Sequence, residues 1–525
     1  MGGSTAGTPA TGGATNGAAG QVGNAGFGAG TSGADAGAGG GAGGSGTGGG
    51  AGDAGATGAR AGASGGTGQA SGSCPSGTSN HLEGTRLRGR YAVTPDGVRA
   101  WLGWHDSLLD VDCVFVTLPD GVVACAPTLY GSSGEYYLDS GCTDVAYTKA
   151  LQGVCEPMDY LLSYVAGCDS GSGYHFYEVG DAVAAPGQVY QLQNGVCTAV
   201  PASSDGLFRR GPAIGSDRFM SATYGPLADA GRVRAMGYST SDGVRQVRRW
   251  IDTELDSECS INLATDGERR CLPDYFASGL DVSTDAMCQT GLYKPTSSNH
   301  CDDALPNYVA SIASDTCPPG AWEVFSVGAP YDGPVYGKVA GGGQSAGGCT
   351  ELGDDQGYVA APAPLSSFEK VDTRTDDTFP GRLKPQFVTT PDGGCWYDDL
   401  WDSELGVHCE FDTAADGQER CLPGMRAPVV HAYSDEGCTN EVTYAGPLPC
   451  GTTSVPPYVQ ERGGMACDTG LAVSKTELTF HVDESRTVWT KVGISCTQSA
   501  LVSGDYAVLT LMEPSSFVAG EVVGD

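Results

Sequence analysis

Six cysteines recur three times along this chain of 525 residues, and their spacing constrains the fold more than any other feature. In every copy the second cysteine follows the first by 12 residues, and the third follows the second by 17. Eighteen of the twenty cysteines belong to this frame: Cys113, Cys125, Cys142, Cys155, Cys168 and Cys197; Cys259, Cys271, Cys288, Cys301, Cys317 and Cys349; Cys409, Cys421, Cys438, Cys450, Cys467 and Cys496. A pattern repeated at a fixed period indicates one structural unit used three times.

Other residues keep the same register as the cysteines. The turn motif TPDG, TSDG, TPDG places Asp96, Asp242 and Asp392 17 residues before the first cysteine of each copy. An arginine precedes each of these aspartates by ten residues. These matches divide the chain into three repeats of roughly 146 residues, at 84–229, 230–379 and 380–525.

Residues 1–73 differ from the rest of the chain, because they are mostly Gly, Ala, Ser and Thr. A segment of this composition buries too little apolar surface to offset the entropy lost on ordering, so the sequence predicts a disordered linker.

The net charge of −34 comes from 62 acidic and 28 basic residues, and it excludes nucleic acid and anionic membranes as favourable partners. Twenty cysteines indicate disulfide bonds in an oxidising compartment, although the chain shows no signal peptide and no transmembrane segment. We therefore expect an extracellular or outer-surface protein, secreted or lipid-anchored, with its export signal encoded upstream of Met1.

Each repeat is strand-like, and the predicted fold class is all-β with short antiparallel strands. The segments CVFVTLPDGVVACAP and EYYLDSGCTDVAYTK read as hairpins around Asp and Gly, and no long amphipathic helix is visible. Two architectures fit this pattern. One is a propeller-like ring of about six blades, favoured by a half-repeat of an aromatic residue followed by Cys-Thr. The other is three separate β domains.

Six cysteines in a repeat allow 15 pairings, and we predict the pairing of neighbours: first with second, third with fourth, fifth with sixth. Cys74 and Cys395 lie outside the frame. A ring would bring them together, whereas the more conservative interpretation leaves Cys74 mobile and unpaired.

The recurring aspartates are the best chemical candidates. Asp-Gly pairs favour turns, so turn and cap roles come first. Clustered carboxylates on loops also suit calcium, which would be the only cofactor. The weak calcium candidates are Asp106, Asp120, Asp252, Asp266, Asp402 and Asp416. Arg269, Arg270 and Arg420 are expected to pair with such carboxylates.

No catalytic residue is assigned. The cysteines read as disulfide halves, because none of the seven histidines occupies an equivalent position in all three copies to serve as a base. The tryptophans before the first cysteine of each copy are either core residues or exposed platforms for a glycan or peptide. They are Trp101, Trp104, Trp250, Trp396 and Trp401.

The DG…RCLP turn, the Y.D..C hairpin and the Gly/Ala leader resemble uncharacterised, exported, cysteine-rich β-repeat proteins of myxobacteria. The resemblance implies location and architecture and carries no known activity. The expected function is that of a non-enzymatic cell-surface or secreted repeat protein, either structural or binding a glycan or protein ligand. The alternative is an extracellular hydrolase or lyase that acts on a polysaccharide.

Overall fold

The computed structural model describes residues 74, 80–128, 135–148, 159–165, 173–184, 187–193, 196–200, 207–227, 231–274, 282–288, 291–293, 305–312, 321–338, 349–352, 357–423, 429–448, 457–462, 470–482, 486–492, 495–501 and 504–524. These residues form antiparallel strands joined by turns, and their only helices are three single 3₁₀ turns at Ser216–Arg218, Leu365–Ser367 and Pro514–Ser516. The predicted all-β class is confirmed. The linker prediction for residues 1–73 lies outside the described residues.

Each repeat begins with a four-stranded meander, in which every strand pairs with the next along the chain. The first meander is β1 (Leu87–Val93), β2 (Arg99–Asp106), β3 (Val111–Thr117) and β4 (Val123–Pro127). The predicted Pro-Asp-Gly hairpin is the β3–β4 turn, where Gly121 has φ +80°. Its register places Phe115 opposite Cys125. Glycine reaches this left-handed conformation without the steric cost of a Cβ atom.

A seven-stranded sheet follows each meander. In the first repeat it consists of β5 (Glu135–Tyr137), β6 (Val145–Thr148), β7 (Tyr160–Val165), β8 (Gly173–Val183), β9 (Val189–Gln193), β10 (Val196–Val200) and β11 (Leu207–Ala213). The order across the sheet is β7-β8-β11-β6-β5-β9-β10. The predicted hairpin EYYLDSGCTDVAYTK is β5–β6.

The 3₁₀ turn and one further strand then lead from each repeat into the next. This linking strand is β12 (Met220–Pro226) in the first repeat, and it lies between β4 of its own meander and the first strand of the second meander. The phenylalanine that ends each 3₁₀ turn is buried: Phe219, Phe368 and Phe517.

The second and third repeats use the same strands in the same order. The second has the meander β13 (Val233–Thr240), β14 (Arg245–Asp252), β15 (Ser257–Leu263) and β16 (Arg269–Pro273). Its second sheet is β17 (Val282–Ser283), β18 (Gly291–Tyr293), β19 (Tyr308–Ile312), β20 (Trp322–Pro330), β21 (Tyr336–Lys338), β22 (Cys349–Glu351) and β23 (Tyr358–Pro362), and its linking strand is β24 (Asp372–Thr375).

The third repeat completes the series. Its meander is β25 (Leu383–Thr389), β26 (Cys395–Asp402), β27 (Val407–Thr413) and β28 (Glu419–Pro423). Its second sheet is β29 (Val429–Tyr433), β30 (Glu441–Leu448), β31 (Tyr458–Arg462), β32 (Leu471–Val482), β33 (Arg486–Val492), β34 (Ser495–Leu501) and β35 (Gly504–Leu511), and its linking strand is β36 (Glu521–Val523).

The last linking strand returns to the first repeat. Strand β36 pairs with β1, with Tyr91 opposite Val523, and Ala519 bridges back to Arg420 on β28. The first and second meanders therefore share a ten-stranded sheet with β36, while the third meander and β24 form a sheet of five.

The described strands group into five sheets, none of which closes on itself, so a propeller of six blades receives no support. Each half-repeat that suggested a blade is instead a hairpin inside one seven-stranded sheet. Three fully separate domains are also not what is observed, because the linking strands join successive meanders.

Of the three disulfide pairings predicted for each repeat, one is confirmed. First and second cysteines pair across the third and fourth meander strands, as Cys113–Cys125, Cys259–Cys271 and Cys409–Cys421. The third cysteine pairs with the sixth, as Cys142–Cys197, Cys288–Cys349 and Cys438–Cys496, so both other predicted neighbour pairings are wrong. The reason is topological: β5 lies beside β9, which brings two hairpins distant in sequence together. The fourth and fifth cysteines lie outside the described residues.

Cys74 is paired after all. It bonds Cys395 at a sequence separation of 321 residues, so the interpretation of Cys74 as mobile and unpaired is wrong. Nearby, the Asn80 side chain accepts a hydrogen bond from the backbone N–H of Tyr397 and donates one to its carbonyl. The N-terminal edge of the first repeat is thus fastened to the third meander.

Apolar packing also crosses the repeat boundaries. Val244 of the second repeat packs with Leu87 and Trp104 of the first, and Trp396 of the third repeat packs with Trp250 of the second. Val98 of the first repeat belongs to the core of the third meander. Each meander is therefore completed by a neighbour.

Candidate functional site

A buried aspartate paired with a half-buried arginine lies inside every meander. Asp106, Asp252 and Asp402 are at most 1% exposed, and each binds the arginine 20 residues before it. In the first repeat Arg86 Nε and Nη2 donate to the two carboxylate oxygens at 2.8 and 2.7 Å. The third repeat has a single bond, from Arg382 Nε to Asp402 at 2.7 Å. The two parallel bonds in the first repeat fix the relative orientation of the arginine and aspartate side chains and neutralise the buried charge.

The same carboxylates also cap the turn that follows them. Asp106 Oδ1 accepts the backbone N–H of Leu108 at 3.0 Å, and Asp252 and Asp402 do the same for Glu254 and Glu404. Three of the calcium candidates are therefore committed to an arginine and a turn.

In the first and second repeats the arginine also reaches the 3₁₀ turn at the end of its own repeat. Arg86 Nη2 donates to the carbonyl of Arg218 at 2.9 Å, and Arg232 Nη2 donates to that of Ser367 at 2.6 Å. One ion pair thus ties the start of a repeat to its end.

The other three calcium candidates, Asp120, Asp266 and Asp416, lie at the Asp-Gly turn of the β3–β4 hairpin and its equivalents. Arg270 and Arg420 bind Asp266 and Asp416, and they donate to the carbonyls of Phe368 and Phe517 at 2.8 Å. The first repeat has Ala124 at the arginine position, and Ser216 donates to Asp120 at 2.5 Å instead. The pairing with a turn carboxylate is thus observed for Arg270 and Arg420 but not for Arg269. Arg269 binds Asp398 of the third repeat at 2.6 Å.

The TxDG aspartates connect neighbouring repeats. Asp242 accepts the backbone N–H groups of Arg86 and Leu87 at 2.9 and 3.0 Å, and Asp392 accepts that of Arg232 at 2.6 Å. Burial alone would raise the pKa of Asp242, but hydrogen bonds from Thr240 and these N–H groups lower it. In the third junction Asp96 lies against Gly381 and leaves no room there for a Cβ atom.

A fourth set of aspartates organises the first hairpin of each second sheet. Asp139 accepts the N–H groups of Gly141, Thr143 and Asp144, and Asp435 accepts those of Thr439 and Asn440. The third cysteine of each repeat lies in this loop with a positive φ of 49 to 54°. A left-handed non-glycine residue needs such a network to hold it.

This loop gives a pH prediction. Hydrogen bonds from the N–H groups of Asp144 and Thr143 lower the pKa of Asp139 from 3.8 to about 2. A carboxyl group with a depressed folded pKa stabilises the fold above its unfolded pKa, and this contribution is lost as the pH falls through the folded value. We expect the carboxyl carbon of Asp139 to titrate with a midpoint near 2 in NMR spectra, and the Thr143 and Asp144 amides to exchange faster in D139N. A midpoint near 4 would contradict the hydrogen-bond network.

One polar cluster is specific to the third repeat and was missed in the sequence. Its centre is Asp399, whose Oδ2 lies 3.3 Å from His408 Nδ1. Burial raises the pKa of Asp399, and it also raises that of the neighbouring Tyr397. The adjacent Asp398 is neutralised by Arg269. The sequence signal for this cluster was the segment YDD at 397–399, because two adjacent acidic residues in a strand need partners for their charges. The cluster lines neither of two surface cavities in the described part of the chain.

Those two cavities are both open. The larger, about 470 Å³, lies where β36 meets β1 and is lined by Glu83, Arg88, Gly89, Arg99, Ser107, Val523 and Gly524. The smaller, about 190 Å³, lies between the β3–β4 turn and the second sheet of the first repeat, with Asp120, Tyr174 and His175 among its lining residues. Neither unites equivalent carboxylates from several repeats. The described part of the chain also holds no group of three or more His, Cys, Asp or Glu residues placed to bind a metal ion.

The candidate aromatic platforms lie on meander strands. Trp104 is buried at 1% exposure, and Trp101, Trp250, Trp396 and Trp401 are half-buried. Trp101 and Trp104 contact each other edge to face, with ring centroids 5.7 Å apart. The core role predicted for tryptophan applies to Trp104, and Trp101, Trp250 and Trp396 pack against core clusters, whereas Trp401 contacts His408.

These features define a class: a tandem β-repeat protein, stapled by disulfides, whose recurring charged residues hold the repeats together. The chain belongs to a family of unknown function, DUF7481, which matches residues 76–368. The match spans the first repeat and the second as far as its buried phenylalanine. No curated protein and no solved structure is detectably similar. The disulfides indicate an oxidising environment, and no helix in the described residues is long and apolar enough to cross a bilayer.

Proposed function

We propose that this protein is a non-enzymatic extracellular repeat protein that binds a ligand on a scaffold of three interlocked repeats. The observation that carries the proposal is the use of the recurring aspartates. In every repeat they bind an arginine, cap a turn or join two repeats. Glycoside hydrolysis needs two carboxyl groups about 5–10 Å apart around one substrate bond. Carboxylates that are already committed to structure do not supply that pair.

We also propose that the three repeats form one closed cycle of contacts. Three strand pairings support this proposal. The first repeat contacts the second through β12, and the second contacts the third through β24. The third repeat contacts the first through β36. The TxDG aspartates follow the same cycle. A cyclic scaffold would hold loops of all three repeats in fixed positions, which limits the entropy lost on binding a ligand.

Export to the cell surface or medium completes the proposal. Disulfides persist in oxidising compartments, and the strongly acidic composition favours solubility there. Fractionation of the producing cells tests this part: the protein is expected at the cell surface or in the medium, and recovery from the cytoplasm would contradict it.

The test of function separates binding from turnover. The oxidised protein is screened on immobilised neutral and acidic glycans, and the same polysaccharides are assayed in solution for new reducing ends and for unsaturated products. We expect retention on at least one surface and no product formation. Product formation would overturn the proposal.

The enzyme alternative has one observation in its favour, the Asp399–His408 pair with its raised carboxyl pKa. Groups with perturbed pKa values are enriched at catalytic sites. If turnover is found, D399N and H408A decide its origin: loss in both would place catalysis in the third repeat, with D398N as the matched neighbouring control.

A further inference from the structure

The first strand of each meander carries a basic residue two positions after the arginine that pairs with the buried aspartate. These residues are Arg88, Arg234 and Lys384, and they occupy equivalent positions in β1, β13 and β25. In the second and third repeats the basic group is used by the protein itself. Arg234 Nε donates to the carbonyl of Gly231 at 2.8 Å, and Lys384 Nζ donates to that of Phe379.

Both acceptors lie on the segment that joins a linking strand to the meander strand after it. This segment is 227–232 before β13 and 376–382 before β25. A second arginine reaches the same segment in the second repeat, where Arg245 Nη2 donates to the carbonyl of Leu227. Its equivalent in the first repeat is Arg99.

The first meander differs, because the residues before β1 do not follow a linking strand, and none of the carbonyls of residues 80–86 accepts a hydrogen bond from Arg88. Its linking strand is β36, which comes from the third repeat, so β36 and β1 are paired but are not consecutive in the chain. At this position lies the cavity of about 470 Å³, with Arg88 and Arg99 in its wall. The cavity therefore lies beside two basic side chains. In the second repeat both equivalents, Arg234 and Arg245, donate to backbone carbonyls, whereas in the third only Lys384 does, because Cys395 stands at the position of Arg99.

The two arginines differ in what they touch. Arg99 lies over the Tyr91 ring at 3.8 Å and approaches Glu83 at 3.5 Å. Arg88 is half-buried and makes no hydrogen bond or ion pair with the described part of the chain. Its equivalents Arg234 and Lys384 each donate to a backbone carbonyl, so within the described part of the chain Arg88 differs from both in keeping its donor capacity unused. Guanidinium groups bind carboxylates in bidentate geometry.

We propose that this cavity binds a small ligand carrying a single carboxylate and hydroxyl groups, such as a uronic acid. The carboxylate would replace the carbonyls that the other repeats supply to their basic residues. Glu83 in the cavity wall disfavours a dianion such as phosphate more than a single carboxylate. The volume suits a sugar of one or two rings. The inference deepens the proposed binding role and rests on it.

Titration of the intact oxidised protein with D-galacturonate tests the inference, using calorimetry at low ionic strength. We expect saturable binding with roughly millimolar affinity. The methyl ester of galacturonic acid, which lacks the charge, and inorganic phosphate are each expected to bind at least about ten-fold more weakly. Phosphate binding as tight as galacturonate binding would overturn the proposal, and so would the absence of any saturable response.

The repeat supplies a matched control. Arg88→Ala is expected to weaken galacturonate binding by about ten-fold or more, whereas Arg234→Ala at the equivalent position is expected to leave it within about two-fold. Equal losses in the two variants, or no loss in R88A, would overturn the site. If binding to a glycan surface survives unchanged in R88A, the site at Arg88 is overturned but the proposed function stands. Polysaccharide turnover would overturn the proposed function instead.

Discussion

Replacing Asp106 by alanine is expected to lower the free energy of unfolding by about 3–5 kcal/mol, because it leaves Arg86 charged beside an empty buried position. Asp106 is fully buried and accepts both hydrogen bonds from the guanidinium. The loss also removes the cap on Leu108 and loosens the arginine that holds Arg218. Guanidinium chloride denaturation of the oxidised protein, followed by tryptophan fluorescence, measures the change.

Two controls identify the buried charge as the cause. Asp120→Ala removes an exposed turn carboxylate from the same repeat and is expected to cost at most about 1 kcal/mol. The double variant R86M/D106L removes both charges together and is expected to cost less than D106A alone. A D106A protein within about 1 kcal/mol of the wild type would show that the pair is not needed for stability.

Removing the Cys74–Cys395 bond with serine at both positions is expected to cost about 3–5 kcal/mol of stability. In the chain-entropy account, this bond closes a loop of 321 residues in the unfolded state, far longer than the 12 residues closed by Cys113–Cys125. The double variant C113S/C125S is the matched control, with an expected cost of about 3 kcal/mol. Denaturation of both variants under non-reducing conditions gives the comparison.

Hydrogen exchange locates the effect of the first variant. We expect the amides of β1 that face β36 to lose protection when Cys74 and Cys395 are replaced, and the amides between β13 and β14 to keep theirs. Uniform loss across all three meanders would mean that the bond acts on the whole fold rather than on the junction of the first and third repeats.

The fold class and the repeats could be predicted from sequence because they depend on local patterns. Turn chemistry places the β3–β4 hairpin, and the alternation around it places Cys113 and Cys125 on neighbouring strands. The pairing of Cys142 with Cys197 could not be found in this way. It depends on β5 lying beside β9, a neighbour relation that no spacing encodes.

The candidate sites, too, could be predicted only as far as they depend on local sequence patterns. The sequence identified Arg86, Arg232 and Arg382 as repeated residues but did not join them to the aspartates 20 residues later, because a β2 strand and its turn intervene. The cavity beside Arg88 could not be predicted from the sequence. It arises from a strand that comes from the opposite end of the chain, although the basic residue at 88, 234 and 384 was visible in the repeat alignment.

The pairing of β36 with β1 also determines the order in which the molecule assembles. More than 400 residues separate these strands, so their contact carries the largest loop-closure cost among the linking strands and forms last. Until then β1 is an open edge, able to accept the same strand from another molecule. At high protein concentration, refolding chains should therefore exchange their last strands and form domain-swapped oligomers, whereas dilute chains each close on themselves.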